Sequence, residues 1–352
     1  MMFVSPNHPA IRTMGRIDET DPTRPIWVYP YTQATFRFTG TTLAMRVVNT
    51  RTYGDSHIGA VIDGFQVKAR IPLDGTETTI PLAENLPDIE HEVTVFKRQD
   101  GQHHIQILGF EFDDGAEILP PATPCPDRRI EVFGDSVSCG ERNEATLYAG
   151  RPDPDVDLSA YSNAWFSYAA ITARDLGAQL HDVSQGGVSL LDGIGWFNGP
   201  DYIGQESMWD RIEYNPALGE SKPWDFSRYT PHVVIVAIGQ NDANPNDFMK
   251  DDYDGEQARH WRARYTDFLR SLRGAYPHAR IVCMTTVLQH DPSWDRAIDE
   301  ACRASGDPLV THLLFSRNGS ATPGHPRISE HEEMARELIA YLASFGPEIW
   351  ED

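Results

Sequence analysis

Phe133-Gly134-Asp135-Ser136 stands where a β-forming run, Arg129-Ile130-Glu131-Val132-Phe133, gives way to a turn. A serine beside glycine at the carboxyl end of a buried strand can project its hydroxyl into a cleft. It can also present its backbone N–H to a developing oxyanion. Three more clusters close later candidate elements. Val183-Ser184-Gln185-Gly186-Gly187 exposes backbone N–H groups through its glycines. The apolar run Val233–Ile238 ends in Gly239-Gln240-Asn241-Asp242, bringing a carboxamide, and Gly324-His325-Pro326 brings an imidazole ahead of the last helix. A nucleophile, a base and preorganised donors are what acyl transfer needs, each donor being worth roughly 3 kcal/mol. Each cluster alone also reads as a glycine turn, a helix cap or a surface histidine. Their shared placement at element ends, in one order, favours the chemistry.

The elements that must position these residues change character near residue 120. Before it, short β-rich runs such as ATFRFTG, TLAMRVVNT, HEVTVFKRQDG and HHIQILGFEFDDG alternate with Asp-Gly turns at Asp63, Asp74, Asp100 and Asp114. Strands at this spacing without a helical stretch predict an antiparallel β-sandwich over residues 1–120. Ile118-Leu119-Pro120-Pro121-Ala122-Thr123-Pro124 is a stiff Pro-rich linker. Beyond it, strands alternate with helices expected over 162–176, 257–275 and 330–345. The apolar runs Val233–Ile238 and Ala279–Met284 suit strands buried on both faces. The fold class is therefore α/β, with a three-layer α/β/α domain around a parallel sheet over residues 121–352.

Composition narrows the partners. The 352 residues carry Lys+Arg 30 against Asp+Glu 52, a formal charge of −22, which repels phosphate backbones and anionic bilayers. Neither nucleic acid nor a membrane is expected as partner, and no apolar run approaches the ~18 residues of a membrane span. Cys125, Cys139, Cys283 and Cys302 are widely separated, so neither a zinc site nor a disulfide framework is expected. Met1–Asp18 lacks a basic segment followed by an apolar one, so a cytoplasmic protein is expected, the alternative being a secreted one whose leader has been removed.

The ordered set Gly134-Asp135-Ser136, Gly186, Gly239-Gln240-Asn241-Asp242 and His325-Pro326 resembles the blocks of the GDSL/SGNH hydrolase superfamily. The sandwich running through HEVTVFKR and FEFDDG into RIEVFGDS, with Trp224-Asp225-Phe226-Ser227-Arg228-Tyr229 farther on, is similar to carbohydrate esterase family 2. Those are two-domain acetyl esterases with a jelly-roll domain ahead of the hydrolase domain. The resemblance implies a serine esterase that removes O-acetyl groups from carbohydrates without metal or organic cofactor. Ser136 would be the nucleophile and His325 the base. The oxyanion hole would take the Ser136 N–H, the Gly186 N–H and the Asn241 side chain, with Gly187 the alternative to Gly186. Asp135 and Asp242 would shape their turns.

One position departs from the superfamily pattern. Where most members have Asp three residues before the histidine, this chain has Thr322. A Ser–His dyad is therefore expected, with Asp291, Asp295 or Asp307 as substitutes for the missing acid. His331 is expected to pack or cap the last helix, His290 and His312 to lie in loops or at the surface, and Cys139 to pack. The segment between Gly193 and Tyr229 is aromatic and loop-like, and Trp196 and Trp209 are its candidates for stacking on sugar rings. Two other functions fit parts of the pattern. One is a lipid- or thioester-directed hydrolase, which would want a broad apolar channel. The other is a carbohydrate-binding protein with an inactive hydrolase domain.

Overall fold

The computed structural model describes residues 1–197 and 202–351. The first part folds as two antiparallel sheets. One orders the strands Ile17–Asp18, Ile26–Trp27, His103–Phe112, Leu43–Arg51 and Glu77–Ala83. The other orders Ile118–Leu119, Gln33–Gly40, Ile89–Lys97, His57–Ile62 and Phe65–Arg70. Period-2 alternation, shifted once by an irregularity between Ile107 and Gly109, sends Phe36, Phe38, Val93, Val95, Ile105, Ile107, Phe110 and Phe112 into one core between the sheets. The last strand added to this sandwich is Ile118–Leu119, and the first of the next sheet begins at Arg128.

The sheet of the second part is wholly parallel, in the order Ala178–Ser184, Arg128–Gly134, Val233–Ala237, Arg280–Met284, Val310–His312. Its continuous apolar runs are explained by two cores. Val234, Val236, Ile281 and Cys283 face the helices Glu256–Ala275 and Ser293–Ser305, through Trp261, Phe268, Leu272 and Trp294. Val233, Ile235, Val282 and Met284 face Tyr168–Asp175 and Ile328–Ala343, through Ala169, Ala173, Met334 and Leu338. With both faces covered, alternation in polarity disappears. The helix expected from residue 162 begins instead at Tyr168. A 3-10 turn, Ala164–Phe166, precedes it, and Ser167 caps it by accepting the Ala170 N–H at 3.2 Å.

Strand order reverses between Arg128–Gly134 and Val233–Ala237, whose crossovers leave in opposite directions. The crevice outside the carboxyl ends of such a pair is where α/β sheets bind ligands, and Ser136 and Asn241 follow these two strands. The sandwich is tied to this sheet by a fully buried ion pair: Arg16 Nε lies 2.9 Å from Glu131 Oε1, with neither side chain exposed. Arg16 also donates to the carbonyls of Trp209 (2.6 Å) and Arg211 (3.1 Å) and lies against Phe133, Trp224 and Phe226. No described helix is long and apolar enough to cross a membrane.

Candidate active site

Ser136 sits on the first residues after the strand Arg128–Gly134, in a turn held from within. Asp135 Oδ1 accepts the Val137 N–H at 3.0 Å, and the Cys139 N–H donates to the Asp135 carbonyl at 3.0 Å. Asp135 Oδ2 accepts from Gln240 Nε2 (2.7 Å) and Asn241 Nδ2 (3.1 Å), joining this turn to the one after Val233–Ala237. Burial pushes the Asp135 carboxyl up to about 6 against these hydrogen bonds. Asp242 does the same work one turn away, accepting the N–H of Leu190 at 2.9 Å and Trp261 Nε1 at 2.7 Å. Both aspartates thus shape turns, as expected of them.

Ser136, Gly186, Gly187, Asn241 and His325 line one cavity of about 800 Å³, with Glu141, Asp153, Trp196, Phe197 and Tyr53 around them. Four of the sequence clusters therefore converge at the carboxyl edge of the parallel sheet. A second cavity, about 770 Å³, opens at the opposite edge between residues such as Arg129, Arg280 and His278. It contains none of these clusters.

His325 is fixed by a carboxylate. Its Nδ1 lies 2.5 Å from Asp153 Oδ2, and its backbone N–H donates to the same oxygen at 3.1 Å. The other oxygen, Asp153 Oδ1, takes Arg327 Nη2 at 2.5 Å. Burial would raise the Asp153 carboxyl, but the bonds from His325 and Arg327 outweigh it and hold the group below the ordinary carboxylate range. The expected dyad without an acid is thus corrected: a side-chain carboxylate, Asp153, holds the imidazole. The acid is none of the three candidates: Asp295 pairs with His290 (3.1 Å), Asp307 with Arg273 (2.5 Å), and Asp291 accepts the Ser293 N–H (3.0 Å). Asp153 lies in Arg151-Pro152-Asp153-Pro154, where two prolines stiffening one acid were the only local signal. Ser136 Oγ and His325 Nε2 share the cavity without a direct hydrogen bond among the described residues.

The oxyanion donors also need revising. The Gly186 N–H donates at 2.8 Å to Asp100 Oδ2, from the hairpin between Ile89–Lys97 and His103–Phe112 of the sandwich. Among the described residues the N–H groups of Ser136 and Gly187 have no protein partner. The free donor of the doubled glycine is thus Gly187, the alternative named above. Gly187 has φ +76°, and a Cβ there would meet the Phe197 backbone nitrogen at 2.9 Å, so a side chain is excluded twice over. Asn241 is 9% exposed, and its Nδ2 lies 3.0 Å from the Val188 carbonyl as well as near Asp135, which fixes the amide plane at the cavity wall.

Asp100 is fully enclosed: Oδ2 also accepts from Gln185 Nε2 (2.7 Å) and Tyr53 OH (3.2 Å), and Oδ1 accepts the Gln102 N–H (3.0 Å). Burial and the nearby Glu141 charge raise its carboxyl, against the hydrogen bonds it accepts. Beneath the hairpin, Lys97 Nζ donates to the carbonyls of Gln99 (2.7 Å) and Asp100, and burial lowers this lysine to about 7.

The two tryptophans part company. Trp196 is 68% exposed on the cavity rim. Trp209 is half-buried and packs edge-on against Phe133 and Phe268 of the core, beside Phe226. Of the other histidines, His331 is buried in the last helix, where its Nδ1 accepts the Tyr168 N–H at 3.1 Å and burial lowers it to about 3. His290 lies in a loop, as expected, but is enclosed there between the Leu288 carbonyl (2.7 Å) and Asp295. Cys139 is buried at 1% exposure, as a packing residue should be. No group of three or more His, Cys, Asp or Glu that could hold a metal ion occurs among the described residues.

Comparison with known proteins agrees with this architecture. Residues 13–122 match the family described as carbohydrate esterase 2 N-terminal, and residues 132–343 match the GDSL-like lipase/acylhydrolase family. The chain is 29% identical over 352 residues to the acetylxylan esterase / glucomannan deacetylase of Cellvibrio japonicus, covering 96% of this chain and 90% of that protein. It is 29% identical over 348 residues to the cellulase/esterase CelE of Acetivibrio thermocellus, and spans 39% of that longer protein. A family two carbohydrate esterase from Clostridium thermocellum, solved in complex with cellohexaose, superposes with TM-score 0.76 at 26% identity over 95% of this chain and 98% of that one. The Cellvibrio japonicus family two structure gives TM-score 0.76 at 26% identity over 99% and 98%. The chain belongs to the GDSL-like lipase/acylhydrolase family, in the two-domain form of the family 2 carbohydrate esterases.

Proposed function

We propose that this chain is a serine esterase that removes O-acetyl groups from carbohydrates. The observation that carries the reading is His325, held through Nδ1 by Asp153 at 2.5 Å in the cavity that Ser136 and Asn241 line. A histidine so oriented keeps Nε2 free to take a proton, and the carboxylate stabilises the imidazolium that results. Ser136 Oγ attacks the acetyl carbonyl as His325 takes its proton. The oxyanion is met by the N–H groups of Ser136 and Gly187, and the Asn241 amide joins them when one of its N–H groups turns from Asp135 or Val188 toward the cavity; His325 then protonates the departing sugar oxygen. Water repeats the cycle on the acetyl-enzyme and releases acetate. Trp196 on the rim offers a ring face to a sugar, and the cavity's mixed polar lining suits a neutral, hydroxyl-rich leaving group better than a long acyl chain. Support for acetylated glycans such as xylan or glucomannan comes from the Cellvibrio japonicus relative.

The test is hydrolysis of 4-nitrophenyl acetate against the octanoate, by the protein and by Ser136→Ala, followed by acetate release from acetylated xylan and glucomannan. Acetate hydrolysis that disappears in Ser136→Ala is the expected result. A preference for octanoate would favour a lipid-directed hydrolase, and glycan binding without Ser136-dependent hydrolysis would favour a carbohydrate-binding protein.

A further inference from the structure

A second carboxylate reaches the catalytic histidine from the other side. Glu141 Oε2 lies 3.9 Å from His325 Nε2, the nitrogen that faces away from Asp153. Its position is fixed by the nucleophile turn itself, because the Glu141 N–H donates to the Ser136 carbonyl at 2.9 Å. Arg142 Nε takes the other oxygen, Oε1, at 3.1 Å. Oε2 is pressed so close to Gly186 that a Cβ on that glycine would sit 2.6 Å from it. The side chain is 23% exposed and lines the same cavity as Ser136. Acyl transfer to Ser136 has no use for this group, since the proton traffic runs through Nε2 and the oxyanion donors are elsewhere.

We propose that Glu141 is a positioning residue for the hydrolytic water of the second half-reaction. A gap of 3.9 Å between two acceptors is bridged by one water making two hydrogen bonds of about 2.8 Å. That water gives one O–H to His325 Nε2 and the other to Glu141 Oε2. In the deacylation step its oxygen bonds to the acetyl carbon of acetyl-Ser136 while its first proton passes to Nε2. The Ser136 Oγ–carbon bond then breaks, Oγ recovers the proton from Nε2, and acetic acid leaves with the second hydrogen of the water. An alcohol has a single O–H and cannot satisfy both acceptors. Glu141 therefore favours water over alcohols as acetyl acceptor, keeping the enzyme a hydrolase among the hydroxyls of its own sugar products.

This inference rests on the Ser136–His325 reading, and rapid-mixing kinetics with 4-nitrophenyl acetate separates the two. Glu141→Leu is expected to release about one equivalent of nitrophenol per site at a rate close to wild type, followed by steady turnover slowed about tenfold or more. Glu141→Gln, which keeps an acceptor oxygen, should lie between. With methanol added, the ratio of methyl acetate to acetate should rise in Glu141→Leu. Equal slowing of both phases, or no change in burst, turnover and product ratio in either variant, would overturn the role of Glu141. Wild-type nitrophenol release by Ser136→Ala would instead overturn the underlying reading.

Discussion

Asp100 Oδ2 accepts the Gly186 N–H at 2.8 Å, so a hairpin of the sandwich domain holds the glycine turn beside Ser136 of the hydrolase domain. In the proposed mechanism this bond takes the Gly186 N–H out of the oxyanion hole and leaves that role to Gly187. It also gives the sandwich a part in setting catalytic geometry, with Gln185 and Tyr53 completing the grip.

Replacing Asp100 by Ala should therefore lower kcat without a matching rise in KM. Gly187 would no longer be pinned where charge develops, and the loss of one oxyanion donor costs about 10²–10³-fold. A partial loss, about tenfold to a hundredfold, is expected here, because the donor is loosened and not removed. Steady-state kinetics on 4-nitrophenyl acetate, with circular dichroism as the folding control, decides it. A pure KM effect would assign Asp100 to substrate binding.

Asp153→Asn should preserve the fold and lower kcat by about 10³–10⁴-fold, because an amide facing Nδ1 stabilises the wrong tautomer and no longer offsets imidazolium charge. Asp291→Asn, whose Oδ1 still accepts the Ser293 N–H, should leave activity near wild type. Asp153 has a depressed pKa in the folded chain, so its contribution to stability is full above the unfolded value and fades as pH falls through the folded one. Asp153→Asn should accordingly lose its stability deficit relative to wild type in strong acid. A deficit that stayed constant down to the acid limit would disconnect the pair from folding.

What was legible in the sequence was local. The Gly134-Asp135-Ser136 turn, the Asn241-Asp242 turn and the apolar strands between them follow from chain-local preferences, and their order implies the sheet. Asp153 was not legible, because its partner is 172 residues away and its loop has no regular pattern. The choice between Gly186 and Gly187 turned on a hydrogen bond from another domain, 86 residues distant. Trp196 and Trp209 lie thirteen positions apart in one aromatic stretch, and only their surroundings in the fold, the cavity rim for one and Phe133, Phe226 and Phe268 for the other, tell them apart.

That division can be measured. Trp196→Ala should leave the melting temperature near wild type and raise KM for acetylated oligosaccharides while sparing 4-nitrophenyl acetate. Trp209→Ala should cost about 3 kcal/mol of stability, the penalty of deleting a large ring from packed neighbours. Thermal unfolding and oligosaccharide kinetics on both variants check the pair, and reversed phenotypes would reverse the assignment.

Asp182 tests the electrostatics beneath the nucleophile turn. It is fully enclosed below the strand end; Ser184 Oγ donates to its Oδ1 at 2.5 Å, while Oδ2 has no partner among the described residues. Burial raises its carboxyl to about 8 in spite of the Ser184 bond. In the unfolded chain an aspartate titrates near about 4. Between these values the folded chain keeps a proton that the unfolded chain has released, so this group's contribution to stability falls as pH rises through that window and is level outside it. Asp182→Asn keeps the shape and the Ser184 bond but cannot titrate. Asp135, Asp242 and Glu213, also raised by burial, are common to both proteins and cancel in the comparison. The melting temperature of the variant relative to wild type should therefore climb steadily from about pH 5 to about pH 8. Parallel curves across that range would mean that Asp182 is already ionised in the folded protein.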